Sequence, residues 1–306
     1  MKTAPRGETG AGEVYVMKIG IIGAGKVGFS LGKFFAVGGL ELAGYWSRSE
    51  ESAREAAEFT GSRAYENLES LVRGCGALFF TTPDGAIIET YVCAREFGIS
   101  GKFLCHCSGS LTAADAFPGA AERGAGALSL HPLFPVSSKY ESYKELQNAL
   151  FCIEGDCEPA AYFRSALEKL GAKTQLIPSK GKARYHAGCV MASNFMCALA
   201  REAAALLVSC GFTSEGAIGA LAPLMRSNLE HIIADGPEAA LTGPVERCDA
   251  ATVRRHLENI TEPKRRLLYK ALSASLVEMA ERRHPGADYG EIKKLTKITE
   301  QELNDR

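Results

Sequence analysis

The chain has 306 residues, room for two domains, because single hydrophobic cores stop growing at roughly 250 to 300 residues. Its 35 Lys and Arg against 36 Asp and Glu leave a net charge of −1, with no block of like charge long enough for a nucleic-acid arm or a basic membrane face. Ten cysteines are scattered without a CxxC pair, which points to a reducing cytoplasm and against a disulfide framework or a structural metal site.

Residues 1–13 are rich in Gly, Thr and charge and lack the apolar stretch of a signal peptide, the composition of a disordered leader. A β-branched run from Val14 to Ile22 ends in glycines, and Val27, Leu31, Phe34 and Phe35 then recur at helical spacing up to Val37. The unit repeats: strand 40–46, helix 49–59, short strand 63–65, helix 68–73, strand 77–81 and helix 85–97. Strands 102–106 and 127–130 flank a helix over 111–123, and strands 149–154 and 173–176 flank a helix over 157–170. Alternation of this kind predicts a mostly parallel sheet covered by helices over residues 14–178.

Beyond Pro178 the strand signals stop. Helical segments at 180–210, 214–235, 249–259, 262–284 and 288–303 predict an all-α second domain over 179–306. Ala183 to Cys210 is the most apolar stretch, but Arg201, Glu202, His186 and Asn194 interrupt it, so it reads as a buried helix rather than a membrane span. Such a surface also suits burial against a second copy, giving a homodimer through the helical domain.

Gly23-Ala24-Gly25-Lys26-Val27-Gly28 matches GxGxxG directly after a strand and at the opening of a helix, the context that gives the motif meaning. Gly23 permits the tight turn, Gly25 lets backbone approach a pyrophosphate, and Gly28 allows close helix–strand packing; the helix N-terminus supplies N–H donors. The first domain is therefore read as an α/β doubly wound fold of Rossmann type that binds a dinucleotide. In NAD-binding members an acid about 20 residues later holds the ribose 2′-hydroxyl. Here the second strand ends Trp46-Ser47-Arg48-Ser49, without an acid; Arg48 suits a 2′-phosphate and Ser47 and Ser49 are neutral donors, so the expected cofactor is NADP(H). The loop Thr81-Thr82-Pro83 is expected to pass along it, while Asp84 starts the next helix.

The fifth strand ends His106-Cys107-Ser108-Gly109-Ser110 and the sixth His131-Pro132, placing imidazoles and hydroxyls on the cofactor edge of the sheet; Ser108 is a candidate for both cofactor contact and chemistry. His186 and Asn194 are eight apart, two turns with about 80° of drift, and would line one side of a cleft. Thr242-Gly243-Pro244-Val245-Glu246-Arg247-Cys248-Asp249 is a polar loop in which Arg247 can grip a substrate carboxylate, Asp249 serving either to fix it or to cap the next helix.

These motifs, with Tyr185-His186-Ala187 to Ser193-Asn194 and Leu241-Thr242-Gly243-Pro244, span nearly the whole chain after the leader and resemble the family that pairs a Rossmann-like domain with a DUF2520 helical domain. It lies within the wider superfamily of pyrroline-carboxylate, ketopantoate and β-hydroxyacid reductases. That superfamily commonly carries a catalytic lysine four residues before an asparagine; this chain has Val190 there. The departure leaves His186, one turn earlier, or Lys180 or Lys182 as proton donor, and His186 is preferred because an imidazole titrating near 6.5 suits proton transfer at neutral pH.

The expected function is hydride transfer between the nicotinamide and a small carbonyl, hydroxy acid or imine, with ketopantoate-like acids as one substrate guess. His186 gives the proton, Asn194 orients, Ser108 and His131 complete the polar wall, and Arg247 anchors an acid group. The alternative is a non-catalytic NADP(H) sensor, since fold alone does not establish chemistry.

Overall fold

A computed structural model describes residues 17–300 and 302; the expected leader and the start of the first strand at Val14 lie outside them. The chain forms two compact units, meeting in sequence at Ala192 and Ser193.

The first unit carries one eight-stranded sheet. Its strands are β1 (Ile19–Ile22), β2 (Leu42–Trp46), β3 (Arg63–Ala64), β4 (Ala77–Phe80), β5 (Phe103–His106), β6 (Gly126–Leu133), β7 (Leu150–Gly155) and β8 (Lys173–Leu176), in the spatial order β3-β2-β1-β4-β5-β6-β7-β8. All neighbours are parallel except β6 and β7, which run antiparallel. Helices α1 (Lys26–Val37), α2 (Glu50–Thr60), α3 (Leu68–Gly74), α4 (Asp84–Arg95), α5 (Ala113–Ala116) and α6 (Cys157–Lys169) connect them.

β1 and β4 are buried along their whole length, as strands covered on both faces must be. Alternation sends Ile21 and Phe79 into one core with Phe29, Phe35 and Phe163, and Ile22 and Phe80 into the other with Leu71, Leu104 and Phe117. Each such buried aromatic or aliphatic side chain stabilises by roughly 1.5–3 kcal/mol. Helix ends follow local chemistry: the Ser49 side chain accepts from the Ser52 amide at the start of α2, and Gly61 ends that helix at φ 72°. The helix expected over 111–123 is corrected to the four residues of α5 and a 3₁₀ turn at Ala121–Arg123, because Pro118 and Gly119 (φ 73°) intervene.

Helix α7 (Lys182–Ala192), expected to open the helical domain, belongs to the first unit. Lys182 and Tyr185 tie it to β6: the Lys182 ammonium donates to Ser129 Oγ, and the Tyr185 hydroxyl lies 2.7 Å from His131 Nδ1.

The second unit is helical: α8 (Asn194–Ser209), α9 (Ser214–Asp235), α10 (Pro237–Ala240), α11 (Ala250–Asn259), α12 (Pro263–Arg283) and α13 (Gly290–Thr296). Val253, Leu257, Val277, Tyr289 and Ile292 form its core between α11, α12 and α13. The expectation that the apolar stretch Ala183 to Cys210 is one buried helix is corrected twice. Ser193, at φ −126° and ψ −72°, interrupts it, and α8 contains no buried residue, while α9 buries Ala217 alone. By length and composition only, the segment 179–209, which contains an 18-residue window of mean hydropathy 1.3, is long and apolar enough to cross a membrane.

Candidate active site

The strand order reverses between β1 and β4, where open α/β sheets leave a crevice at the carboxyl ends of the strands. β1 passes into α1 through Gly23, whose φ of 104° is reached by glycine without strain and whose amide donates to the Trp46 carbonyl at 2.8 Å. A Cβ on Gly28 would overlap the Gly23 carbonyl and lie 2.7 Å from Thr81 Oγ1, so this glycine lets α1 close on the sheet. Gly25, the N-cap of α1, is the opposite case: a Cβ there would meet nothing within 4 Å.

A cavity of about 290 Å³ opens at this point, lined by Gly23, Ala24, Gly25, Ser47, Arg48, Thr81, Thr82 and Pro83, together with Trp46, Ser52 and Glu89. The first turn of α1 carries no acid and begins with exposed Lys26, so its free amides and dipole favour an anion. Thr82 Oγ1 is buried and has no partner among the described residues. Arg48 stands exposed just beyond β2, and no ion pair involves it among the described residues. Open space over Gly25, the orphaned Thr82 hydroxyl and the Arg48 guanidinium fit the pyrophosphate and a ribose phosphate of a dinucleotide. Of the other residues expected here, Lys26, Val27 and Gly28 lie in α1 beside the cavity without lining it, and Ser49 caps α2. Ser108 is also absent from the lining.

On the same sheet edge, β5, β6 and α7 bring together a polar cluster. His131 Nδ1 pairs with the Tyr185 hydroxyl, and the His131 and His186 rings are 5.8 Å apart at 89°. Gly109 lies under both rings: a Cβ there would overlap His186 Nδ1, sit 2.7 Å from its Cε1 and 3.0 Å from His131 Nε2. His186 Nδ1 is buried with no partner among the described residues. Lys182 is fully buried and its ammonium meets Ser129 Oγ, which donates to the Ser108 carbonyl at 3.2 Å. Burial pulls the Lys182 ammonium below the usual lysine range.

Burial, and then the nearby Lys182 charge, push the His131 imidazole down to about 4; the His106 imidazole falls to about 4 for the same two reasons. Both rings are neutral at pH 7. Burial raises the Tyr185 phenol, so it stays a neutral hydroxyl. The Ser108 hydroxyl organises the loop: it donates to Asp84 Oδ2 at 2.7 Å and accepts from the Ser110 and Leu111 amides. Tyr185 and Lys182 complete this cluster. The signal for Tyr185 was available in sequence, since residues 182, 185 and 186 share one helix face at i, i+3 and i+4.

Asn194 and Arg247 lie in the second unit. Asn194 starts α8, after Ser193 at φ −126° and ψ −72°, and its Oδ1 accepts from Ser193 Oγ at 3.0 Å. Arg247 is exposed in the loop before α11, and the Asp249 carboxylate caps that helix by accepting from the Thr252 amide at 2.9 Å.

Solved structures share this architecture. Protein TM1727 from Thermotoga maritima is 27% identical, covers 87% of this chain and 99% of its own, and superposes with a TM-score of 0.69. BF3122 from Bacteroides fragilis, a candidate NADP oxidoreductase, is 23% identical over 86% of this chain and 98% of its own, with a TM-score of 0.65. An imine reductase from Streptomyces aurantiacus is 19% identical over 92% and 100%, at 0.60. Curated proteins offer no match. A Rossmann-like domain model matches residues 5–132 and the domain of unknown function DUF2520 matches residues 149–276, so the chain belongs to the proteins that join a Rossmann-like domain to DUF2520.

Proposed function

We propose that the protein is an NADP(H)-dependent reductase or dehydrogenase acting on a small carbonyl, hydroxy acid or imine. The observation that carries this reading is the Tyr185–His131 pair and His186, gathered over Gly109 on the same sheet edge as the glycine-lined cavity. The nicotinamide, when bound, supplies or accepts the hydride. The chain's part is to bind, position and handle a proton. Gly25 and the α1 amides hold the pyrophosphate, and Arg48 with Ser47 takes the 2′-phosphate. His186, whose Nδ1 has no competing partner, gives the proton to the substrate, and the neutral Tyr185–His131 pair supplies oriented hydrogen bonds. The NADP oxidoreductase and imine reductase among the similar structures are consistent with this chemistry. The test is NADPH oxidation at 340 nm with a panel of 2-oxo acids, ketones and cyclic imines, with His186→Ala alongside. Turnover that survives His186→Ala overturns the proton assignment.

The reading includes a homodimer. α8 and α9 leave Phe195, Leu199, Leu224 and Ile233 exposed, Ile233 at 76%, a surface that a second copy suits better than lipid because Arg201 and Glu202 fall within α8. The ten cysteines suit a reducing cytoplasm, which fractionation of the tagged protein checks.

A further inference from the structure

Resting on the reductase reading above, we propose that Lys182 is a specificity-determining positioning residue that fits the site to a neutral carbonyl and sets it against a cationic iminium. The two substrate classes ask for opposite surroundings. A carbonyl oxygen gathers negative charge as its carbon takes the hydride and wants hydrogen-bond donors and positive potential. An iminium carries its positive charge beforehand and wants an acceptor or a carboxylate.

The cluster is built of donors around a buried cation. Lys182 has no exposed surface, and no ion pair involves it among the described residues. Its ammonium is held by the Ser129 hydroxyl, and through Ser129 it tethers the Ser108 carbonyl and the loop bearing Gly109, so charge and geometry reach the His131–His186 pair together. No Asp or Glu occurs between Glu168 and Glu202.

Two carboxylates act on this cluster, Glu154 on the Lys182 ammonium and Asp84 on the His131 and His106 rings, and each is also held by neutral donors. Asp84 Oδ2 accepts from the Ser108 and Ser110 hydroxyls, and Glu154 accepts from the Ala113 amide at 2.9 Å and the Ser179 hydroxyl at 2.6 Å. The groups gathered at Gly109 are the Tyr185 hydroxyl and two imidazoles, with the Lys182 ammonium behind them through Ser129, and such donors complement an oxygen that becomes an alkoxide. In the step itself the carbonyl carbon gains the hydride, the π electron pair moves to oxygen, and oxygen takes the His186 proton. The hydride and its two electrons would come from a reduced nicotinamide held in the Gly25 cavity. Lys182 touches none of these atoms and acts through Ser129 and its charge.

The experiment compares binding as well as turnover in the full-length protein. With NADPH, 2-oxoisovalerate and 1-pyrroline-2-carboxylate are followed at 340 nm. Binding of 2-hydroxyisovalerate and of valine, one skeleton ending in a hydroxyl or an ammonium, is measured by calorimetry with NADP⁺ bound. The hydroxy acid is expected to bind at least about tenfold more tightly, and Lys182→Met to shrink that ratio by about threefold or more while Lys182→Arg retains it. Reduction of the cyclic imine alone, or equal binding of the two probes, overturns the inference and leaves the reductase reading standing. No NADPH oxidation with any compound removes the reductase reading, and the binding ratio still decides the role of Lys182. If Lys182→Met does not fold, the wild-type ratio and Lys182→Arg carry the test.

Discussion

Replacing Gly109 with alanine perturbs the candidate site through a single methyl group. Gly109 is not among the positive-φ positions, so alanine is tolerated by the backbone and the effect comes from space. The added Cβ would stand 2.7 Å from His186 Cε1, closer still to Nδ1, and 3.0 Å from His131 Nε2; ordinary contact begins at 3.4 Å. The His186 ring must therefore retreat by at least about 0.7 Å. A displacement on the order of 1 Å from reacting geometry costs roughly 100-fold in rate, or about 2.7 kcal/mol of barrier. Because the obstructing atoms belong to a side chain and the cofactor cavity lies apart from Gly109, NADPH affinity should change by less than about threefold. The assay is kcat with the substrate found in the NADPH panel, alongside the NADPH Kd by fluorescence. A Gly109→Ala enzyme that folds and turns over within threefold of wild type would refute the placement of His186 at the reacting centre.

Three further outcomes are expected. His106 and His131 titrate near 4 when folded against about 6.5 unfolded, so the unfolded chain takes up protons first on acidification. Stability is complete above about pH 6.5 and falls as pH drops toward 4, by on the order of 3 kcal/mol for buried His106; urea midpoints at pH 7 and 4.5 should show it, and His106→Asn should reduce it while His131 keeps its own share. Arg48→Ala should raise the NADPH Kd by about tenfold or more and leave NADH within about threefold, and equal losses for both would remove the 2′-phosphate role. Light scattering should give twice the chain mass, with Ile233→Asp shifting the population toward monomer; a monomeric wild-type protein refutes the dimer.

The alternation of strands and helices was legible because each βα unit of the sheet carries its own local signals: β-branched runs, helical spacing and glycine turns. GxGxxG was legible for the same reason, and the cavity forms over Gly25 as that reading requires. The reversal of β7 against β6 was not, since pairing direction depends on partners distant in sequence. Periodicity extended the helix after Leu111 through Pro118 and Gly119, where backbone chemistry outweighs the apolar pattern. For Ala183 to Cys210, apolarity indicated coverage without saying by what, and the single chain leaves α8 exposed. Lys182 was weighed as a proton donor from a loop; its burial against Ser129 depends on the docking of α7 onto β6 and has no local signature.

The Asp84 carboxylate has a kinetic consequence. It opens α4 immediately after Thr82 and Pro83, which line the cofactor cavity, and it holds the Ser108 and Ser110 hydroxyls of the loop that carries Gly109 beneath the two imidazoles. On the proposed function, a dinucleotide settling against Thr82-Pro83 would be linked through this one carboxylate to the Gly109 loop beneath the substrate. Such a linkage predicts an order of arrival, coenzyme before substrate, which product-inhibition patterns would test, and Asp84→Asn is expected to turn that order toward random.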